Sequence, residues 1–148
     1  MVKLDQDLQK RVWQRVQGKN SRPPLGKVNC KSWMLAAQEN AAVYHRFAQS
    51  AQGREAEQLK RMYQECQKCI ACLKGICRLR GERVEVRPLP REKEPRRNQL
   101  ELCYSRERKL WEELDQYTCD SDHGLVYGRL AQQAQEHCVT ILEILGRI

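Results

Sequence analysis

The sequence QECQKCIACLKGIC (residues 64–77) carries four of the eight cysteines of this 148-residue chain. Cys66 and Cys69 are three residues apart, and Leu73 follows four residues after Cys69. Positions three and four apart share a face of an α-helix. The spacing therefore predicts a helix whose inward stripe contains two thiols, with Cys72 at the edge of that stripe.

Apolar residues that recur every three or four positions predict three further long helices around this one. The four predicted helices cover residues 31–51, 54–80, 98–118 and 125–145. Gly53, Gly81 and Gly146 are expected to end helices, and Asp120 or Ser121 is expected to cap the last one. Short turns join the first two helices and the last two, whereas a connector with three prolines (residues 82–95) separates the pairs. Two helical hairpins joined by one long crossover predict an all-α, antiparallel four-helix bundle with the ferritin-like connection.

A short amphipathic helix is predicted before the bundle. Leu or Val recurs every four positions from Leu4 to Val16, with Trp13 beside them. The predicted organisation is an N-terminal helix and linker (residues 1–26) followed by the bundle (residues 27–148). This helix and the basic connector are the surfaces where an unknown protein partner or a second copy of the chain is expected to bind.

The composition predicts a globular protein outside membranes. Charged residues make up 31% of the chain, and its formal net charge is +8. No apolar run reaches the length of a membrane span, and no secretory signal is visible. A cytoplasmic location is therefore expected, where cysteines are thiols, metal ligands or core residues rather than disulfides. Nucleic acid is not an expected partner, because no binding motif accompanies the basic connector.

Two longer stretches resemble a known protein family. The sequence YHRFAQSAQGREAEQLKRMYQECQKCIACLKGI (residues 44–76) resembles the first helical hairpin of ferritin-like, rubrerythrin-type proteins. The sequence CYSRERKLWEELDQYTCDSDHGLVYGRLAQQAQEHCVTILEILG (residues 103–146) resembles the second. The resemblance implies one Glu on the first helix and one on the third, and Glu-x-x-His on the second and fourth. In the family these six side chains point into the bundle and bind two metal ions.

Most of these ligands are replaced in this chain. The positions that correspond to the six ligands are Ala37, Cys66, Cys69, Glu107, Ala134 and His137. Only Glu107 and His137 keep the residue type of the family. A one-residue shift of the second helix would restore Glu65, but it would pair Glu65 with Lys68, which is no ligand when protonated.

These departures argue against di-iron chemistry, because two iron ions need several carboxylate ligands. The predicted metal-ligating residues are instead Cys66, Cys69, Glu107 and His137, a set suited to zinc. Two alternatives stay open for the cysteines: small core residues, or redox-active thiols with a lowered pKa and solvent access. Glu107 needs a partner if it is buried, and His137, Arg106, Tyr44 or a cation would supply one.

Two functions are therefore expected. The first is a divergent ferritin-like protein that has lost its di-iron centre, has no cofactor and no catalytic residue, and serves as a structural or partner-binding module. The alternative is a metal-binding ferritin-like protein, with a remodelled Cys/His zinc site or a relic iron site. Metal content distinguishes the two.

Overall fold

A computed structural model describes residues 29–83 and 95–148. These residues form α1 (Cys30–Ser50), α2 (Gly53–Leu79), α3 (Arg96–Asp115) and α4 (Gly124–Arg147). The described residues contain no strand, so the prediction of an all-α protein with four helices is confirmed. None of these helices is long and apolar enough to cross a membrane. The predicted N-terminal helix in residues 1–26 and most of the connector lie outside the described residues.

Two glycines shape the ends of α2. Gly53 is the first residue of α2 and has a φ of +63°, a left-handed conformation that lets the chain leave α1 and begin a new helix after two residues. Gly81 has a φ of +74° and follows the end of α2. Beyond it the backbone N–H of Glu82 donates to the carbonyl of Cys77 at 2.9 Å, which satisfies a group left free at the helix end.

An aspartate closes the turn before α4, but the predicted cap by Asp120 or Ser121 is wrong, because the N-cap residue is His123 and its side chain makes no capping hydrogen bond. The Asp120 carboxylate accepts hydrogen bonds from the backbone N–H groups of Asp122 at 2.8 Å and His123 at 2.9 Å. The prediction that Gly146 ends this helix is wrong, because α4 continues to Arg147. Gly146 keeps ordinary helical geometry, so its missing side chain is not used for a left-handed cap there.

Each helix packs against two others. α1 contacts α2 and α3, and α4 also contacts α2 and α3. The indole N–H of Trp33, near the start of α1, donates to a carboxylate oxygen of Glu113, near the end of α3, at 2.7 Å. At the opposite ends of the same two helices, Arg46 donates to Gln99 at 2.7 Å.

A second set of polar contacts joins α2 to the other hairpin. Gln58, near the start of α2, donates to Glu143, near the end of α4, at 3.0 Å. The side chains of Glu55 and Arg96 form an ion pair that joins the starts of α2 and α3. These contacts, together with those between α1 and α3, fix which ends of the helices are neighbours.

The buried side chains form two apolar clusters that follow one another along the helices. One cluster includes Cys69 and Leu110, and the other includes Cys66 and Cys103. The second cluster continues through Ile141 near the end of α4. The helices therefore pass from one apolar cluster to the other near the positions of Glu107 on α3 and His137 on α4.

Leu73 and Leu79 offer a matched test of this packing on one helix. Leu73→Ala is expected to lower the free energy of unfolding by ~2–5 kcal/mol, because Leu73 is fully buried (0% exposed). Leu79→Ala is expected to change it by less than ~0.5 kcal/mol, because Leu79 is 78% exposed. Urea unfolding followed by circular dichroism measures both. Equal losses in the two variants would contradict the placement of α2.

Candidate metal centre

All four helices contribute to one polar cluster at the junction of the two apolar clusters. Its members are Tyr44 from α1, Glu65 and Cys66 from α2, Glu107 from α3 and His137 from α4. Four of the five are buried, and Glu65 is half-buried. The helical repeat places these residues inward because each has apolar neighbours three or four positions away.

Glu107 is the centre of this cluster. Glu107 is only 2% exposed. An unpaired carboxylate at such a buried position would cost several kcal/mol of folding free energy. The Tyr44 hydroxyl donates to Oε2 of Glu107 at 2.9 Å. Nδ1 of His137 is hydrogen-bonded to the same oxygen. Of the partners expected for a buried Glu107, namely His137, Arg106, Tyr44 or a cation, His137 and Tyr44 both contact it.

Burial raises the pKa of Tyr44 well above its ordinary value, and the charge of Glu107 raises it further. The tyrosine therefore stays protonated and remains a hydrogen-bond donor to Glu107. Because donor and acceptor come from α1 and α3, this bond also links the two hairpins at the middle of the molecule.

His137 lies between two carboxylates. Its Nδ1 is bonded to Glu107, and its Nε2 lies 3.4 Å from a carboxylate oxygen of Glu65. Burial lowers the pKa of His137, but the interactions with Glu107 and Glu65 outweigh burial and raise the pKa to about 9. The same interaction with His137 lowers the pKa of Glu65. Without a metal the ring is therefore an imidazolium held by two carboxylates.

Cys66, Glu107 and His137 form the group best suited to hold a metal ion. One potential ligand atom from each of the three residues lies within 4.8 Å of the others, and all three side chains are buried. Burial raises the pKa of the Cys66 thiol well above its usual value, and the charge of Glu107 adds to this effect. The thiol is therefore protonated in the metal-free protein, and a metal would have to displace that proton.

A cavity of about 10 Å³ adjoins these residues. That volume is close to the smallest that accommodates one water molecule or one small ion. Ten residues line it: Ala37, Cys66, Cys69, Glu107, Leu110, Leu114, Leu130, Gln133, Ala134 and His137. These ten residues include all six positions that the resemblance assigns to metal ligands. Ala37 and Ala134 have short side chains, so they leave open the space that the longer glutamate side chains of the family would fill.

The structure separates the four predicted ligands into three that converge and one that lies nearby. Cys69 is buried on the cavity wall, but its sulfur is not within the 4.8 Å group. Burial raises the pKa of Cys69 to about 12, so it is also a protonated thiol. Cys72 is exposed and is therefore not part of the site.

Helical spacing alone does not predict that Glu65 takes part in the polar cluster. It precedes Cys66 directly and lies at the edge of the inward face, yet its carboxylate reaches His137. Glu39, the other nearby glutamate, instead pairs with Arg106 at 2.8 Å. Side-chain length explains the difference from the sequence expectation, because a glutamate beside the inward stripe can still extend to the centre.

Comparison with models of known protein families, with curated proteins and with solved structures finds no match to this chain. The geometry and chemistry of the side chains are therefore the basis for assigning a function.

The raised pKa of His137 predicts how the stability of the metal-free protein depends on pH. A group whose pKa is higher in the folded state stabilises the fold below its unfolded pKa of ~6.5, and this contribution is lost as the pH rises towards about 9. The free energy of unfolding, measured with a chelator present, should therefore fall by about 2 kcal/mol between pH ~6 and ~8.

His137→Gln is the matched variant for this measurement. It keeps a hydrogen-bonding side chain and every thiol of the protein, but it cannot titrate in this pH range. The fall in stability should be absent from the variant. The same fall in both proteins would show that His137 does not have the environment described here.

Proposed function

We propose that this protein is a divergent ferritin-like bundle that has lost its di-iron centre and binds one transition-metal ion. The metal ligands are Cys66, Glu107 and His137, and zinc is the ion that suits them best. The observation that carries this proposal is the convergence of a thiol, a carboxylate and an imidazole within 4.8 Å inside the bundle.

The directions of the helices support a ferritin-like arrangement. The contact of Trp33 with Glu113 supports an antiparallel orientation of α1 and α3, and the contact of Gln58 with Glu143 supports the same for α2 and α4. The ion pair between the starts of α2 and α3 supports a parallel orientation of these two helices. One long crossover between two hairpins is the connection typical of ferritin-like bundles.

The lining of the cavity supports the same relationship. The six positions that the resemblance assigns to ligands come from four helices, and all six line one small cavity. The retained pair, Glu107 and His137, is then the remainder of a larger ligand set.

The residues present do not fit a di-iron centre. Alanine occupies two of the positions where the resemblance implies glutamate, and cysteine occupies both positions on α2. Glu107 and Glu65 are the only carboxylates that reach the cluster among the described residues. Two iron ions need more oxygen ligands than these two residues provide.

A single zinc ion suits the remaining side chains. Zinc accepts thiolate, imidazole and carboxylate ligands in a four-coordinate site. Cys69 or a water molecule in the adjacent cavity is available as the fourth ligand. Because the cavity has a volume of only about 10 Å³, it has no room for an organic substrate, and a structural or metal-holding role is favoured over catalysis.

Two further side chains are placed to orient the ligands. The Tyr44 hydroxyl holds the Glu107 carboxylate, and the Glu65 carboxylate faces the Nε2 side of His137. Such partners fix the orientation of an imidazole and increase its basicity. A metal that binds Nδ1 of His137 would leave Nε2–H to donate to Glu65.

A structural or partner-binding module without a metal is the second candidate. One observation favours it: both nitrogens of His137 already face carboxylates, and Glu107 already accepts a hydrogen bond from Tyr44. In this state a proton on His137 supplies the positive charge that a metal would otherwise supply. The bundle then requires no ion, and its function depends on its surface.

Elemental analysis of the purified protein by plasma mass spectrometry distinguishes the two candidates. We expect about one zinc per chain, because zinc sites with buried protein ligands commonly survive purification. Cys66→Ser and His137→Ala should each lose the metal. Cys138→Ser is the control, since Cys138 is also a buried thiol on α4 but lies outside the ligand group.

Each alternative outcome has a definite meaning. A metal-free protein after growth and dialysis in zinc would support the module without a metal. Two irons per chain would contradict the proposed single site. Zinc that persists in both ligand variants would place the metal elsewhere.

Glu65→Gln tests the orienting role of the second carboxylate. It should weaken zinc binding ~10–100-fold without abolishing it, because Glu65 acts on the metal through His137. Glu39→Gln is the control, since Glu39 is also a half-buried glutamate but pairs with Arg106. Competition with a chromophoric chelator measures both affinities. An unchanged affinity in Glu65→Gln would remove Glu65 from the site.

A further inference from the structure

A second pair of cysteines, Cys30 and Cys77, lies at one end of the α1–α2 hairpin, opposite the turn that joins the two helices. Cys30 is the first residue of α1, and Cys77 lies two residues before the end of α2. Both residues are fully buried and belong to the same apolar cluster. Neither belongs to the metal-binding group.

The register of the hairpin places these two positions opposite each other. The rings of His45 and Tyr63 pack with centroids 4.7 Å apart, which fixes α1 against α2 near the turn. Cys30 lies 15 residues before His45, and Cys77 lies 14 residues after Tyr63. Both helices rise by the same amount per residue, so both cysteines lie ~21–23 Å from the ring pair.

The local chemistry distinguishes the two thiols. The two thiols are close enough for each to influence the pKa of the other. Burial raises the pKa of both thiols, that of Cys77 to about 12. The negative charge of Glu82 raises the pKa of both thiols, whereas the interaction with Cys77 and the positive charge of Arg80 lower the pKa of Cys30. Cys30 is therefore the thiol better placed to attack first.

We propose that Cys30 and Cys77 are a thiol modification site, at which a small disulfide such as oxidised glutathione converts the pair into a reversible intramolecular disulfide. The Cys30 thiolate attacks one sulfur of the oxidant, forms a mixed disulfide and releases one reduced glutathione. The Cys77 thiolate then attacks the Cys30 sulfur and releases the second. Two protein thiols lose two electrons and two protons, and one oxidised glutathione becomes two reduced molecules.

Cys30 is fully buried, so the oxidant can reach it only when the start of α1 opens locally. Helix ends open locally more easily than helix centres, and Cys30 precedes every other residue of α1. The product would tie the start of α1 to the last turn of α2. It would therefore stabilise the open end of this hairpin, which the backbone turn at residues 51–52 does not constrain.

Peptide mapping of the folded full-length chain tests the proposal. The protein is treated with oxidised glutathione, free thiols are alkylated, and the products of trypsin digestion are analysed by mass spectrometry. We expect a disulfide between the peptides VNCK (residues 28–31) and GICR (residues 75–78), and this product should disappear on reduction. The oxidised protein should also melt at a higher temperature than the reduced protein.

Matched variants keep the result interpretable. Cys30→Ser should lose both the linked peptides and the rise in melting temperature, whereas Cys138→Ser should keep both. The metal content of Cys30→Ser should equal that of the wild type, so a failure of this proposal is distinguishable from a failure of the metal site. Glutathione attached to the exposed Cys72 and Cys119, with VNCK and GICR unlinked, would overturn the proposal.

Discussion

The buried carboxylate of Glu107 is the constraint on which the centre of this structure depends. A carboxylate in an apolar bundle needs donors or positive charge close to its oxygens. Here the donors come from Tyr44 on α1 and His137 on α4, and both contact the same oxygen. A shift of one helix by a single residue would separate these groups. The cost of leaving Glu107 unpaired therefore helps to fix three helices relative to one another.

The two apolar clusters on either side of this group explain why it needs a positive charge. Buried apolar side chains exclude water from the junction, so any positive charge there interacts strongly with Glu107 and Glu65. A proton on His137 and a divalent ion are two ways of supplying that charge. Ala37 and Ala134 leave a small space beside these side chains.

Helical periodicity predicts the inward faces of the bundle well. The three-and-four spacing predicts that Cys66, Cys69, Glu107 and His137 are buried, and all four are. The pairing of Glu107 also follows from the sequence, because a buried carboxylate requires a partner and few polar residues lie on inward stripes. The prediction that Gly146 ends a helix fails because glycine permits a helix to continue as readily as it permits a cap.

Contacts between helices are less predictable than the faces of single helices. Glu65 reaches His137 because α2 and α4 lie close enough together. The spacing of residues within α2 does not predict the distance between the two helices. The separation of Cys69 from the other three predicted ligands likewise depends on how α2 is rotated against its neighbours. The meeting of Cys30 with Cys77 depends on the length of the turn between α1 and α2.

X-ray absorption at the zinc K-edge, recorded on the zinc-loaded protein, tests the central claim most directly. The account predicts one sulfur ligand at ~2.3 Å and nitrogen or oxygen ligands at ~2.0 Å around a single ion. If Cys69 supplies the fourth ligand, the spectrum will contain two sulfurs, and one should remain in a Cys69→Ser variant. A shell of nitrogen and oxygen alone, or a spectrum unchanged by Cys66→Ser, would contradict the site formed by Cys66, Glu107 and His137.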